Sequence, residues 1–87
     1  MTPVNILVTG GAGFIGSNFI RYLAVNNQFN FDQIYVLDKF TYAGLKSNLE
    51  FTRHHKGISV ISGDICDPVI TLDLVSKVDF IVNFAAE

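Results

Sequence analysis

Four of the seven positions from Gly10 to Gly16 are glycine, in the segment Thr9-Gly10-Gly11-Ala12-Gly13-Phe14-Ile15-Gly16-Ser17. Glycines this dense, placed between an apolar run and a helical pattern, suit the cradling of a phosphate. One glycine permits a tight turn, one lets backbone approach a pyrophosphate, and one lets the helix pack against the strand. The N–H groups at the start of the helix then face the anion. Two spacings overlap: Gly11-x-Gly13-x-x-Gly16 and Gly10-x-x-Gly13-x-x-Gly16. Either is weak alone, but the strand-to-helix setting strengthens both. Ser17 follows Gly16 directly, with no lysine to reach a β- or γ-phosphate, which argues against a nucleoside-triphosphatase loop. Phe14 and Ile15 are expected to act through backbone amides, with their side chains in the core.

Asp38 is the second candidate. It ends an apolar run, where a carboxylate takes the adenosine ribose hydroxyls. It lies beyond the usual ~20 residues from the glycines, and the polar break from Asn26 to Asn30 takes up the excess. A carboxylate there repels a 2′-phosphate, so NAD is expected over NADP. Lys39, next to it, pulls the other way. Asp64-Ile65 follows the third apolar run, near where adenine would lie. Its carboxylate reads equally as an acceptor for the exocyclic amine and as a plain turn aspartate. Asn83-Phe84-Ala85-Ala86-Glu87 ends the fourth run. Its small residues would let a cofactor lie close to the backbone, or simply mark a strand leaving the sheet.

Other residues read as bland. Tyr42 and Lys46 have the Tyr-x-x-x-Lys spacing of hydride-transfer sites, but Ala43-Gly44 between them argues for a loop. His54 and His55 are expected on the surface at a helix end, and Cys66 as a small buried hydrophobe. No cluster has metal-ligand spacing.

The elements that must position these groups follow from the pattern. Strands are expected at Val4–Val8, Gln33–Leu37, Ile58–Ile61 and Val78–Phe84. Helices are expected from Phe14 to Val25, from a Ser47 cap to Thr52, and from Asp67-Pro68 through Val75. This alternation predicts an α/β fold: a partial, doubly wound Rossmann sheet of about four parallel strands with crossover helices, strand one lying beside strand four. The 87 residues are 49% hydrophobic and 16% charged, with no linker or repeat, so they read as one unit, the N-terminal part of a dinucleotide-binding domain. The net charge of −2 and the absence of a basic cluster argue against a nucleic-acid partner. One cysteine excludes an internal disulfide and fits a reducing compartment. With no signal-like or membrane-length apolar stretch, the cytoplasm is the expected location and no membrane partner is expected.

Ile6 to Ser17 resembles the opening of the extended short-chain dehydrogenase/reductase superfamily. Leu37-Asp38-Lys39-Phe40-Thr41-Tyr42-Ala43-Gly44, then Ser47-Asn48-Leu49, resembles the dTDP-glucose 4,6-dehydratase family, and Gly63–Asp67 and Asn83–Glu87 fit it too. The resemblance spans nearly the whole chain. It implies that Gly10, Gly13 and Gly16 form the NAD loop, with Phe14 and Ile15 on the pyrophosphate. Asp38, Lys39, Phe40 and Thr41 would surround the adenosine ribose, and Asp64 and Ile65 would hold adenine. Phe84, Ala85, Ala86 and Glu87 would line the path toward the nicotinamide.

The resemblance also implies an enzyme that oxidises a nucleotide-linked glucose at C4, eliminates water across C5 and C6, and returns hydride to C6. A sugar-nucleotide epimerase or decarboxylase, or a non-catalytic NAD-binding module, are the alternatives. The family's catalytic threonine, Asp-Glu pair and Tyr-x-x-x-Lys lie beyond Glu87. No catalytic residue is therefore assigned here, and the chain is expected to be a truncated or proteolysed part, inactive alone. A homodimer is implied for the longer enzyme, and self-association through the edge of strand four for the part.

Overall fold

A computed structural model describes residues 4–25, 31–40 and 45–84. In it the four apolar runs become strands: β1 Val4–Thr9, β2 Phe31–Asp38, β3 Ile58–Ser62 and β4 Phe80–Asn83. They form one parallel sheet in the order β3-β2-β1-β4. Helix α1, Phe14–Val25, links β1 to β2, and helix α2, Pro68–Val75, links β3 to β4. A 3₁₀ helix, Leu45–Thr52, lies in the β2-to-β3 connection.

The side-chain alternation of each strand divides the core in two. Ile6 and Val8 of β1, Ile34 and Val36 of β2 and Ile58 of β3 face α1 and the 3₁₀ helix, packing with Ile20, Leu23 and Leu49. Leu7 and Leu37 face the other way, against Leu74 of α2. The connections explain this split. The chain steps from β1 to β2 to β3 in one direction, then reverses to reach β4. Right-handed crossovers in opposite directions must run over opposite faces. The reversal puts a topological switch point between β1 and β4, at the carboxyl ends of the strands, where such sheets bind ligands.

β1 and β2 are apolar on both faces because both faces are covered. β3 and β4 are the edges of the described sheet and are more exposed. β4 is shorter than the sequence suggests, since Val78 and Asp79 belong to the turn that leaves α2. Asp79 nevertheless locks the register, because its carboxylate accepts from the Asn5 N–H at 2.8 Å and its own N–H reaches the Asn5 carbonyl at 2.8 Å. At α2 the expected start is found: Asp67 caps the helix by accepting from the N–H groups of Val69 and Ile70, and Pro68 opens the first turn.

Four expectations need correction. The side chains of Phe14 and Ile15 are not in the core; they are 80% and 68% exposed. At roughly 100° per residue, the buried stripe of Gly16, Ser17, Ile20 and Leu23 leaves both on the far side of α1. The segment ending at Thr52 is 3₁₀, and it begins at Leu45, so Ser47 lies inside it. Thr52 turns its hydroxyl back to the Leu49 carbonyl at 2.6 Å, a local bond that competes with regular α-helix. Cys66 is exposed, because the tight turn it shares with Asp64 carries it to the surface before α2. His54 is exposed as expected. His55 is half-buried, its ring stacked on Phe31 and its Nδ1 accepting from the Gly57 N–H at 3.1 Å.

Candidate dinucleotide site

β1 ends at the buried Thr9, whose hydroxyl donates to Asn83 Oδ1 at 2.6 Å, while the Phe84 N–H reaches the Thr9 carbonyl at 2.7 Å. These bonds fasten the carboxyl end of β1 to that of β4, the two sides of the switch point. The chain then turns sharply at Gly10, which has φ of 71° and donates its N–H to the Leu37 carbonyl at 2.8 Å. A side chain is strained in that left-handed region, so the turn needs glycine.

The remaining glycines of the loop face different neighbours. A Cβ on Gly11 would lie 2.5 Å from Val36 Cγ1 and 2.8 Å from Ile20 Cδ1, inside the core. A Cβ on Gly16 would lie 2.6 Å from the Gly10 carbonyl oxygen and 2.9 Å from Gly11 Cα, so α1 packs backbone to backbone on the loop. A Cβ on Gly13 would meet only the Gly10 oxygen, at 3.7 Å, an ordinary contact. Nor does Gly13 have a left-handed φ. Neither packing nor backbone conformation requires glycine there, and the space its missing side chain leaves lies outside the fold.

That space adjoins the start of α1. Helix geometry leaves the N–H groups of Phe14, Ile15 and Gly16 without intrahelical acceptors. α1 has no acidic residue in its first turn, so its positive end is not met by a carboxylate of its own. A bare backbone surface beside such a helix start fits a diphosphate.

Asp38, half-buried at the end of β2, does more than sequence reasoning assigned to it. One carboxylate oxygen accepts from the Ala12 N–H at 2.9 Å and the other from the Phe40 N–H at 2.8 Å. The first bond clamps the glycine loop to β2. The second supports Phe40 at φ of 55°, a conformation uncommon for a bulky residue. Each oxygen keeps a second lone pair for a ribose hydroxyl. Asn48 was also missed: its amide donates to the Ala12 carbonyl at 2.7 Å, tying the 3₁₀ helix to the same loop. Only the chain's path brings residues 12, 38 and 48 together, so no local signal marked the triangle.

Asp64 follows β3, and its Oδ1 accepts from the Cys66 N–H at 2.8 Å. Its Oδ2 lies 3.3 Å from Lys39 Nζ. The Cys66 N–H above all holds its carboxyl below the usual carboxylate range; desolvation opposes that shift, and the Lys39 ammonium adds to it. Ile65 packs on the Leu7–Leu37–Leu74 cluster, and its carbonyl accepts from the Thr71 hydroxyl at 2.7 Å. Phe84 packs its ring 5.5 Å from that of Phe19. Gly10, Gly13, Phe14, Ile15, Gly16, Asp38, Lys39, Phe40, Asp64, Ile65 and Phe84 thus all lie in loops or element ends on the carboxyl side of the sheet. Thr41, Ala85, Ala86 and Glu87 fall outside the described residues, as does Tyr42. Among the described residues no group of three or more His, Cys, Asp or Glu could hold a metal, and no helix is long and apolar enough to cross a membrane.

A model of the GDP-mannose 4,6 dehydratase family matches residues 7–87. The chain belongs to that family. The low-salt glycan biosynthesis protein Agl12 of Haloferax volcanii is 50% identical over 84 residues, and a dTDP-glucose 4,6-dehydratase of Streptomyces niveus is 44% identical over 86 residues. Each alignment covers 97% of this chain and 26% of the relative, so the chain spans about a quarter of the length of these relatives. Among solved structures, dTDP-glucose 4,6-dehydratase from Bacillus anthracis in complex with NAD superposes with a TM-score of 0.83 at 38% identity, covering 97% of this chain and 27% of that one. The family and the Rossmann-type fold agree with the reading of the sequence.

Proposed function

We propose that this chain is the NAD-binding N-terminal part of a nucleotide-sugar 4,6-dehydratase whose substrate is dTDP-glucose. One observation carries the proposal. Gly13 has no role within the fold that requires a glycine, yet it borders the start of α1 where a pyrophosphate would lie. The relatives named dTDP-glucose 4,6-dehydratase, and the neighbour solved with NAD, support both the cofactor and the reaction.

On this reading the N–H groups of Phe14, Ile15 and Gly16 bind the pyrophosphate, and Gly13 lets it approach. Asp38 accepts from the ribose hydroxyls while its other lone pairs hold the loop in shape. Lys39, Phe40 and Thr41 surround that ribose. Asp64 and Ile65 flank the adenine, and Phe84, Ala85, Ala86 and Glu87 line the path toward the nicotinamide. NAD bound there would supply the hydride acceptor for oxidation at sugar C4 and the donor for reduction at C6 after water has left across C5 and C6. None of the residues assigned here abstracts a proton or protonates a leaving group, so this chain alone is expected to show no dehydratase turnover.

A homodimer of the whole protein, and a cytoplasmic location, belong to the same reading. The 87-residue chain is further expected to self-associate through β4, an edge strand with Phe80 and Ile81 more than half exposed. Light scattering that finds a strict monomer at high concentration contradicts that expectation.

Calorimetric titration with NAD and, separately, NADP tests the cofactor. Saturable binding that favours NAD is expected. A folded whole protein that binds neither, or that prefers NADP, overturns the proposal.

A further inference from the structure

Charges of both signs meet at the carboxyl ends of β2 and β3. Asp38 turns its carboxylate toward the glycine loop, onto the Ala12 and Phe40 N–H groups. Lys39, the next residue, reaches instead to Asp64, with Nζ 3.3 Å from Oδ2. Asp64 is held for that contact, since its other oxygen accepts from the Cys66 N–H at 2.8 Å. The two strand ends are themselves tied by the Gly63 N–H, 2.9 Å from the Asp38 carbonyl. Lys39 and Asp64 are both about half exposed, with side-chain exposures of 57% and 43%. An exposed pair of this kind adds little to stability. Its consequence lies in where it leaves the charge.

An ammonium beside the ribose-binding carboxylate is the feature that would welcome an adenosine 2′-phosphate, because a cation there accommodates the phosphate that an acidic residue repels. Lys39 stands beside that carboxylate in sequence, and its charge is committed to Asp64. We infer that Asp64 is a specificity-determining residue: by pairing with Lys39 it denies a 2′-phosphorylated dinucleotide its cation, and so reinforces the preference for NAD that Asp38 begins. This inference rests on the dinucleotide reading of the site. It assigns Asp64 a task separate from contact with the adenine, which NAD and NADP share.

The test is the ratio of NAD to NADP affinity, measured by calorimetry on the whole protein for wild type, Asp64→Asn, Lys39→Met and the double variant. Asp64→Asn keeps one oxygen for the Cys66 N–H and puts an uncharged NH2 where the other oxygen met Lys39, so any change in adenine contact falls on both cofactors and cancels in the ratio. The variant is expected to strengthen NADP relative to NAD by about tenfold, the scale of one hydrogen bond to a charged group. Adding Lys39→Met is expected to abolish that gain. A loss of affinity equal for both cofactors would reduce Asp64 to an adenine contact and overturn the inference. So would a gain for NADP that persists in the double variant, since it would then not pass through Lys39. Wild-type protein that is folded and binds neither cofactor overturns the dinucleotide reading itself. Wild-type binding with an unchanged ratio in Asp64→Asn overturns this inference alone.

Discussion

A methyl group built on Gly16 would sit 2.6 Å from the Gly10 carbonyl oxygen, whereas one built on Gly13 would find nothing nearer than that same oxygen at 3.7 Å. The two residues are three positions apart, Gly13 just before α1 and Gly16 in its first turn. Gly16 faces inward, where α1 must approach the backbone of the preceding turn, and its glycine serves folding. Gly13 faces outward, and nothing in the described fold requires a glycine there. Sequence spacing gives both the same letter. The neighbours of the missing side chain separate them, and that separation is the physical ground for a ligand at the start of α1.

Substitutions can break this contrast. Gly16→Ala should cost the most, roughly 3 kcal/mol or more, because the obstacle is backbone and cannot rotate away; the midpoint of denaturant unfolding reads it. Gly11→Ala should cost about 1–3 kcal/mol, since Val36 and Ile20 can shift their side chains at some strain. Gly10→Ala follows at about 1–2 kcal/mol, the cost of holding a side chain in the left-handed region. Gly13→Ala should cost about 1 kcal/mol or less, from a poorer residue at the helix start. If Gly13→Ala instead destabilises as much as Gly16→Ala, the contrast fails.

The smallest effect concerns pH. The Asp64 carboxyl titrates lower in the folded chain than in the unfolded one. Its contribution is therefore present above the ordinary aspartate range and is lost as pH falls through the folded value. Asp64→Asn should remove that acid-limb dependence, losing the small contribution at neutral pH and matching wild type at the acid end, as read by thermal unfolding across a pH series. An unaltered acid limb in the variant would show that the Cys66 N–H and Lys39 do not act on this carboxyl in the folded state.

Much of this was legible in the sequence. Val4–Val8 running into glycines, Gln33–Leu37 ending at an aspartate, and Asp67-Pro68 opening a helix each follow local rules that the fold obeys, though β2 begins two residues earlier, at Phe31, and the reversal after β3 then places β4 beside β1. The side chains of Phe14 and Ile15 were misread because apolarity suggests burial, while helical phase and the backbone contact at Gly16 decide which side of α1 is inside. Cys66 was misread in the same way, since a turn anchored by Asp64 outweighs the thiol's preference for the core. The clamp of Asp38 on Ala12 and the support from Asn48 were invisible because each joins residues far apart in the chain. The Lys39–Asp64 pair likewise needs β2 and β3 side by side before it exists.

The most direct measurement is the affinity of Gly13→Ala for NAD, set beside its unfolding midpoint and that of wild type. NAD affinity is expected to fall by at least about tenfold, the equivalent of roughly 1.4 kcal/mol, while the midpoint stays close to wild type. Wild-type affinity in a folded Gly13→Ala protein would contradict the account, because the space left by Gly13 would then not be where the pyrophosphate lies.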